Sequence, residues 1–115
     1  MTWTTHALAL LCVVIIASGQ LLFKIAANAF KAAGTAFDLN VFMAFGSAVA
    51  IYGVATVLWM VILQDAPLSR AYPYMALSFV LVALASWFFF RESISTGQIA
   101  GLSLIVAGLM VTAIS

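Results

Sequence analysis

Charge is what this chain of 115 residues has least of: four basic and three acidic side chains, and no Asp or Glu within any of its long apolar runs. Hydrophobic residues make up 67% of the chain and charged ones 6%. A soluble domain of that composition would expose a large adhesive surface, so a soluble fold is excluded. A net charge of +1 with no basic run excludes a nucleic-acid partner and a polybasic lipid-binding tail. The single cysteine, Cys12, has no second thiol with which to close a disulfide and is assigned to packing. The single histidine, His6, has neither a carboxylate nor another histidine near it in sequence, whereas a metal site needs several ligands. Cys12 also lacks a neighbouring base to activate it, and the glycines follow helical spacing and form no phosphate-cradling loop. No catalytic, metal or cofactor site is expected.

Four apolar stretches remain, roughly Thr5–Phe23, Val41–Leu63, Ala71–Phe90 and Gly97–Ala113. Each is close to the roughly 20 residues a helix needs to cross the hydrocarbon core. Residues 1–115 therefore read as one all-α membrane domain of four transmembrane helices. The first stretch is not read as a cleaved signal, because Met1 to Ala7 carries no Lys or Arg and the apolar run is too long for a signal core. The Ala-rich sequence after Lys24 predicts that the first helix continues past that residue. Pro67 predicts a break between the second and third spans, and Ser95-Thr96-Gly97-Gln98 predicts a capping box at the start of the fourth. The connections flanking the second span's start and the third span's end carry Lys24, Lys31 and Arg91, which leans both termini away from the cytoplasm. Trp3, Trp59 and the run Trp87-Phe88-Phe89-Phe90 lie near span ends and read as membrane anchors.

Small residues form seams. On the fourth span Gly97, Gly101, Gly108 and Thr112 fall within about 60° of one another, and the second repeats the device with Gly46, Ala50 and Gly53. Such seams let backbones approach closely, within one protomer or between subunits, and both uses fit. Four thin helices cannot enclose a path of any size, so at least a dimer is expected, of identical or related chains.

The cations at the span edges carry the functional reading. Lys24 ends the first span and Arg70 opens the third. Gln20 lies four residues before Lys24 and shares its helical face. An amide at that depth requires a partner from a neighbouring helix, from water or from a substrate. Snorkelling at a helix end competes with ligand binding for Lys24, topology-setting for Arg70, and favouring the fourth helix's N-terminus or pairing with Arg91 for Glu92. With no carboxylate inside the spans, the pattern points to an anion.

Gly19-Gln20-Leu21-Leu22-Phe23-Lys24, Leu63-Gln64-Asp65-Ala66-Pro67, Ala71-Tyr72-Pro73 and Arg91-Glu92-Ser93-Ile94-Ser95, in that order, resemble the four-helix members of the drug/metabolite transporter superfamily. The match is nearest to the small subunits of the aminoarabinose-phosphoundecaprenol flippase, which share a Gly-Gln-Leu-x-x-Lys segment and a Leu-Gln-x-x-Pro-x-x-x-Ala-Tyr-Pro segment. The resemblance implies a multi-pass protein of the bacterial inner membrane. It would work as a homodimer or with a related four-helix chain, among membrane lipids, moving a polyprenyl-phosphate-linked sugar between leaflets. The small multidrug resistance exporters are also similar, but Ile16 stands where they carry a glutamate and Met75 where they carry an aromatic residue. Export of a cation is therefore the second reading, and an accessory scaffold for a glycosyltransferase the third. In the first reading Lys24 attracts the phosphate, Gln20 and Tyr72 donate hydrogen bonds to it, and Arg70, Ser78 and Glu92 complete the candidate substrate-binding set.

Overall fold

A computed structural model describes residues 2–115, all of whose regular structure is helical. Helix α1 spans Trp3–Ala33, α2 Leu39–Asp65, the one-turn α3 Leu68–Ala71, α4 Met75–Phe90 and α5 Thr96–Ile114; a 3₁₀ turn at Tyr72–Tyr74 joins α3 to α4. Four segments are long and apolar enough to cross a membrane: α1, α2, Leu68–Phe90 taken together, and α5. All four extend beyond the apolar limits of the sequence, because hydropathy marks where side chains suit lipid while the helix runs on until a cap stops it.

Those caps are local and specific. The Thr2 hydroxyl accepts the Thr5 amide at the start of α1. Gly34 ends the helix at φ 74°, donating its amide to the Phe30 carbonyl; this left-handed turn is one that glycine adopts without a Cβ clash. Asp38 caps α2 by accepting the Asn40 amide. Pro67, at the position before α3, produces the expected break. Ser95 and Gln98 form the expected reciprocal capping box on α5. The third span is not one continuous helix. Pro73 has no amide to donate, and the chain tightens into the 3₁₀ turn around it before α4 begins.

Helices α1 and α2 form the principal pair, α4 packs on α1, and α5 leans mainly on α4. The result is a slab of 49 × 36 × 17 Å. Its core is made of small side chains: Ala9, Cys12, Ala55, Ala66 and Ala71 cluster around Ile62. The Cys12 thiol donates to the Ala55 carbonyl at 3.5 Å, so the cysteine is a packing residue as expected. Trp59 packs against this cluster and edge-on to Tyr72, which gives it an internal contact besides any anchoring role.

The glycines divide into two kinds. A Cβ on Gly19 would stand 2.5 Å from the Tyr52 ring, so glycine leaves the space in which that aromatic side chain packs on α1. A Cβ on Gly46, Gly53, Gly101 or Gly108 would meet nothing within 4 Å. The seams of α2 and α5 thus remain unused inside the protomer, and α5 buries none of its residues.

Candidate functional site

The up-and-down course of the spans sorts the polar residues to two ends. From Trp3 to Lys24, helix α1 rises about 32 Å at 1.5 Å per residue, close to the roughly 30 Å hydrocarbon thickness. With Trp3 at one edge of the bilayer core, Lys24 falls at the other, and Gln20 one turn inside it. The α4–α5 connection returns to this same end and brings Glu92 with it.

Lys24 Nζ lies 3.3 Å from Glu92 Oε1, and each side chain is 46% exposed. Of the alternatives weighed for Glu92, pairing with Arg91 is not realised: its carboxylate is the counter-ion of Lys24. The lysine is accordingly a balanced cation, even though no carboxylate lies in its own span. Arg91 makes the encounter possible: it closes α4 in the left-handed region at φ 54°, and the amides of Arg91 and Glu92 both turn back onto the Ser86 carbonyl. That turn carries the next side chain toward α1.

One turn deeper, the Gln20 amide donates to the Tyr52 hydroxyl of α2. The ring of Tyr52 is held over Gly19 and tilted against Phe23, whose centroid is 5.4 Å away. Tyr52 is the residue that sequence reasoning missed. Its signal was a lone phenol in the middle of an otherwise apolar span. Beside this cluster, Phe23, Ala26, Ala27, Phe30, Val41 and Phe45 line an apolar groove of about 350 Å³ between α1 and α2.

The remaining candidates lie elsewhere. Tyr72 is 62% exposed at the opposite end of the slab, separated from Glu92 by the whole of α4, about 24 Å of helix. A single headgroup bound by Gln20, Lys24 and Tyr72 is therefore not assembled within one protomer. Arg70 is at that far end too, where its guanidinium donates to the Ser115 backbone carbonyl at 2.7 Å and ties α3 to the end of α5. Ser78 is buried, and its hydroxyl donates to the Met75 carbonyl at 2.6 Å, so it staples the first turn of α4. His6 and Tyr74, singled out by no motif, bond to each other there and join α1 to the 3₁₀ turn. Among the described residues no group of three or more metal-ligating side chains occurs.

A half-exposed ammonium and carboxylate thus lie one helical turn from an amide–phenol contact, with an apolar groove beside them. The EamA-like transporter family matches residues 3–114. The chain belongs to that family. Among curated proteins, this EamA-like chain is 36% identical over 93 residues to the probable 4-amino-4-deoxy-L-arabinose-phosphoundecaprenol flippase subunit ArnE of Salmonella newport, an overlap that covers 81% of this chain and 82% of the relative. The same figures hold for the subunit of that name from Salmonella typhimurium, and the one from Salmonella paratyphi B is 34% identical over the same length. No solved structure matches the chain significantly. Membership of the EamA-like family together with four spanning helices makes this a multi-pass membrane protein of transporter type.

Proposed function

We propose that the protein is a subunit of a flippase of the bacterial inner membrane, moving a polyprenyl-phosphate-linked sugar, or an anionic lipid of that kind, between leaflets. The observation that carries the reading is the placement of Lys24: a half-exposed ammonium at the edge of the hydrocarbon, one turn from Gln20 and beside an apolar groove. A phosphodiester headgroup is attracted to the ammonium and accepts hydrogen bonds from the amide and from Tyr52, while its polyprenyl chain lies in bulk lipid. The named relatives support the substrate class. Lys31 and Arg91 share this end, and their charge favours placing it in the cytoplasm. The working unit is at least a dimer, supported by the unpartnered glycine seam of α5.

The test is a flipping assay in reconstituted vesicles with polyprenyl-phosphate sugars, run beside a resistance assay with quaternary ammonium compounds. Lipid flipping by the wild type, lost in Gln20→Ala with size and helicity retained, is the expected result. Cation resistance with lipid flipping intact in both Gln20→Ala and Lys24→Ala overturns the anion-site reading in favour of cation export. If the chain flips nothing and both variants are silent, it is an accessory scaffold.

A further inference from the structure

We propose that Glu92 is the specificity-determining residue of this site, and that it selects headgroups that carry a free amine besides their phosphate. The inference rests on the lipid-phosphate reading above and assigns the second charge of the Lys24–Glu92 pair. The name of the flippase relatives contains an amino sugar, and nothing in that name says which residue reads the amine.

Counting charges shows why. Lys24 and Glu92 neutralise each other at 3.3 Å. A phosphodiester with a neutral sugar adds one anion to that pair, so two anions compete for contact with the Lys24 ammonium, while Lys31 and Arg91 make no ion pair with Glu92. The newcomer must then displace Glu92 or be repelled by it. A headgroup that is both anionic and cationic adds no net charge: phosphate meets Lys24, ammonium meets Glu92, and all four charges stay paired. A half-exposed ion pair is weak and exchanges partners readily. The two side chains also belong to different elements, α1 and the α4–α5 connection, so they can part around a sugar by rotamer changes without unwinding a helix.

The other charged groups at this end do not take the role. Asp38 is committed to capping α2 through the Asn40 amide. Lys31 lies two turns beyond Lys24 on the same face of α1, and with Arg91 it adds positive charge that suits the phosphate and disfavours the amine. Glu92 is therefore the carboxylate left to receive an ammonium.

The experiment compares initial flipping rates for two probes in vesicles containing the wild-type protein: a polyprenyl phosphodiester whose sugar carries a free amine, and the same lipid N-acetylated. The wild type is expected to prefer the amine by about tenfold, a modest ratio because both side chains are half exposed and screened. In Glu92→Gln that ratio falls to about one. Equal rates in the wild type, or a wild-type ratio kept by Glu92→Gln, overturn the assignment of Glu92 while leaving the flippase reading in place. Flipping of neither lipid by the wild type defeats the flippase reading itself. A second measurement needs no variant: a water-soluble carbodiimide, which joins a carboxylate to an amine with loss of water, is added to the wild type with the amine-bearing lipid. Mass spectrometry is expected to find the lipid amide on Glu92. An amide on Asp38 alone, or on no carboxylate, overturns the proposal.

Discussion

The two ends of this slab use polar chemistry for opposite purposes. At the end holding Trp3 and Ser115, Arg70 grips the Ser115 carbonyl, His6 bonds Tyr74, and Ser78 staples its own helix, so these three side chains are occupied in structural bonds. At the other end Lys24 and Glu92, both half exposed, pair with each other one turn from the Gln20–Tyr52 contact. Polar groups that are consumed by the fold are poor ligands, because binding anything else would first break a structural bond. The contrast sorts the candidates by place: Gln20, Lys24 and Glu92 lie together with Tyr52, while Arg70, Tyr72 and Ser78 lie at the other end.

Substitutions that separate the ends test this division most directly. Lys24→Ala, which leaves the Glu92 carboxylate without its partner, is expected to reduce lipid flipping on the order of a hundredfold. Lys24→Glu should be worse, since it sets two carboxylates against each other. If Arg70→Gln, measured by the same vesicle assay, lowers the rate as much as Lys24→Ala, the two ends are not functionally distinct.

The next effect concerns the two kinds of glycine. Gly19→Val drives a side chain into the Tyr52 ring and should cost about 1–3 kcal/mol of stability, visible as a lower thermal midpoint in detergent. It should also slow flipping through the displaced Tyr52. Gly101→Leu or Gly108→Leu meets open space in the protomer, so the thermal midpoint of the monomer should barely move. Dimerisation in bilayers should instead weaken by about tenfold, the scale of a single close helix contact in a membrane. Unchanged crosslinking in both variants would remove α5 from the subunit interface.

The smallest change is expected at the end holding Trp3 and Ser115. Tyr74→Phe deletes the hydroxyl that meets His6 and should cost about 1 kcal/mol of stability, with the flipping rate changed by less than about twofold. A large loss of transport with stability intact would show that the His6–Tyr74 contact belongs to the transport cycle and not only to the fold.

The seams show how far pattern reading goes. The 3.6-residue periodicity placed Gly97, Gly101 and Gly108 on one stripe, but two uses of such a stripe look identical in sequence. Only the arrangement of α5, which lies on the slab with none of its residues buried, leaves that stripe without a partner in the protomer. Tyr72 shows the opposite failure. Its place within a motif grouped it with Lys24, yet motif order along a chain that crosses the membrane four times carries no information about which end a residue occupies. Counting helical rise separates the two by a whole span.

What the sequence determined by itself are the features that depend on near neighbours. Apolar run length set the number of spans, Pro67 set the break, and Ser95 with Gln98 set the start of α5, because each rests on contacts within one helical turn. The Lys24–Glu92 ion pair and the Gln20–Tyr52 bond join residues 68 and 32 positions apart, and those only the tertiary structure decided. The left-handed turn at Arg91 aims the α4–α5 connection at α1, and the space left at Gly19 lets α2 present Tyr52 to Gln20. Charge and hydrogen bonding act over a few ångströms of space, and helix packing, not position along the chain, brings those groups within reach.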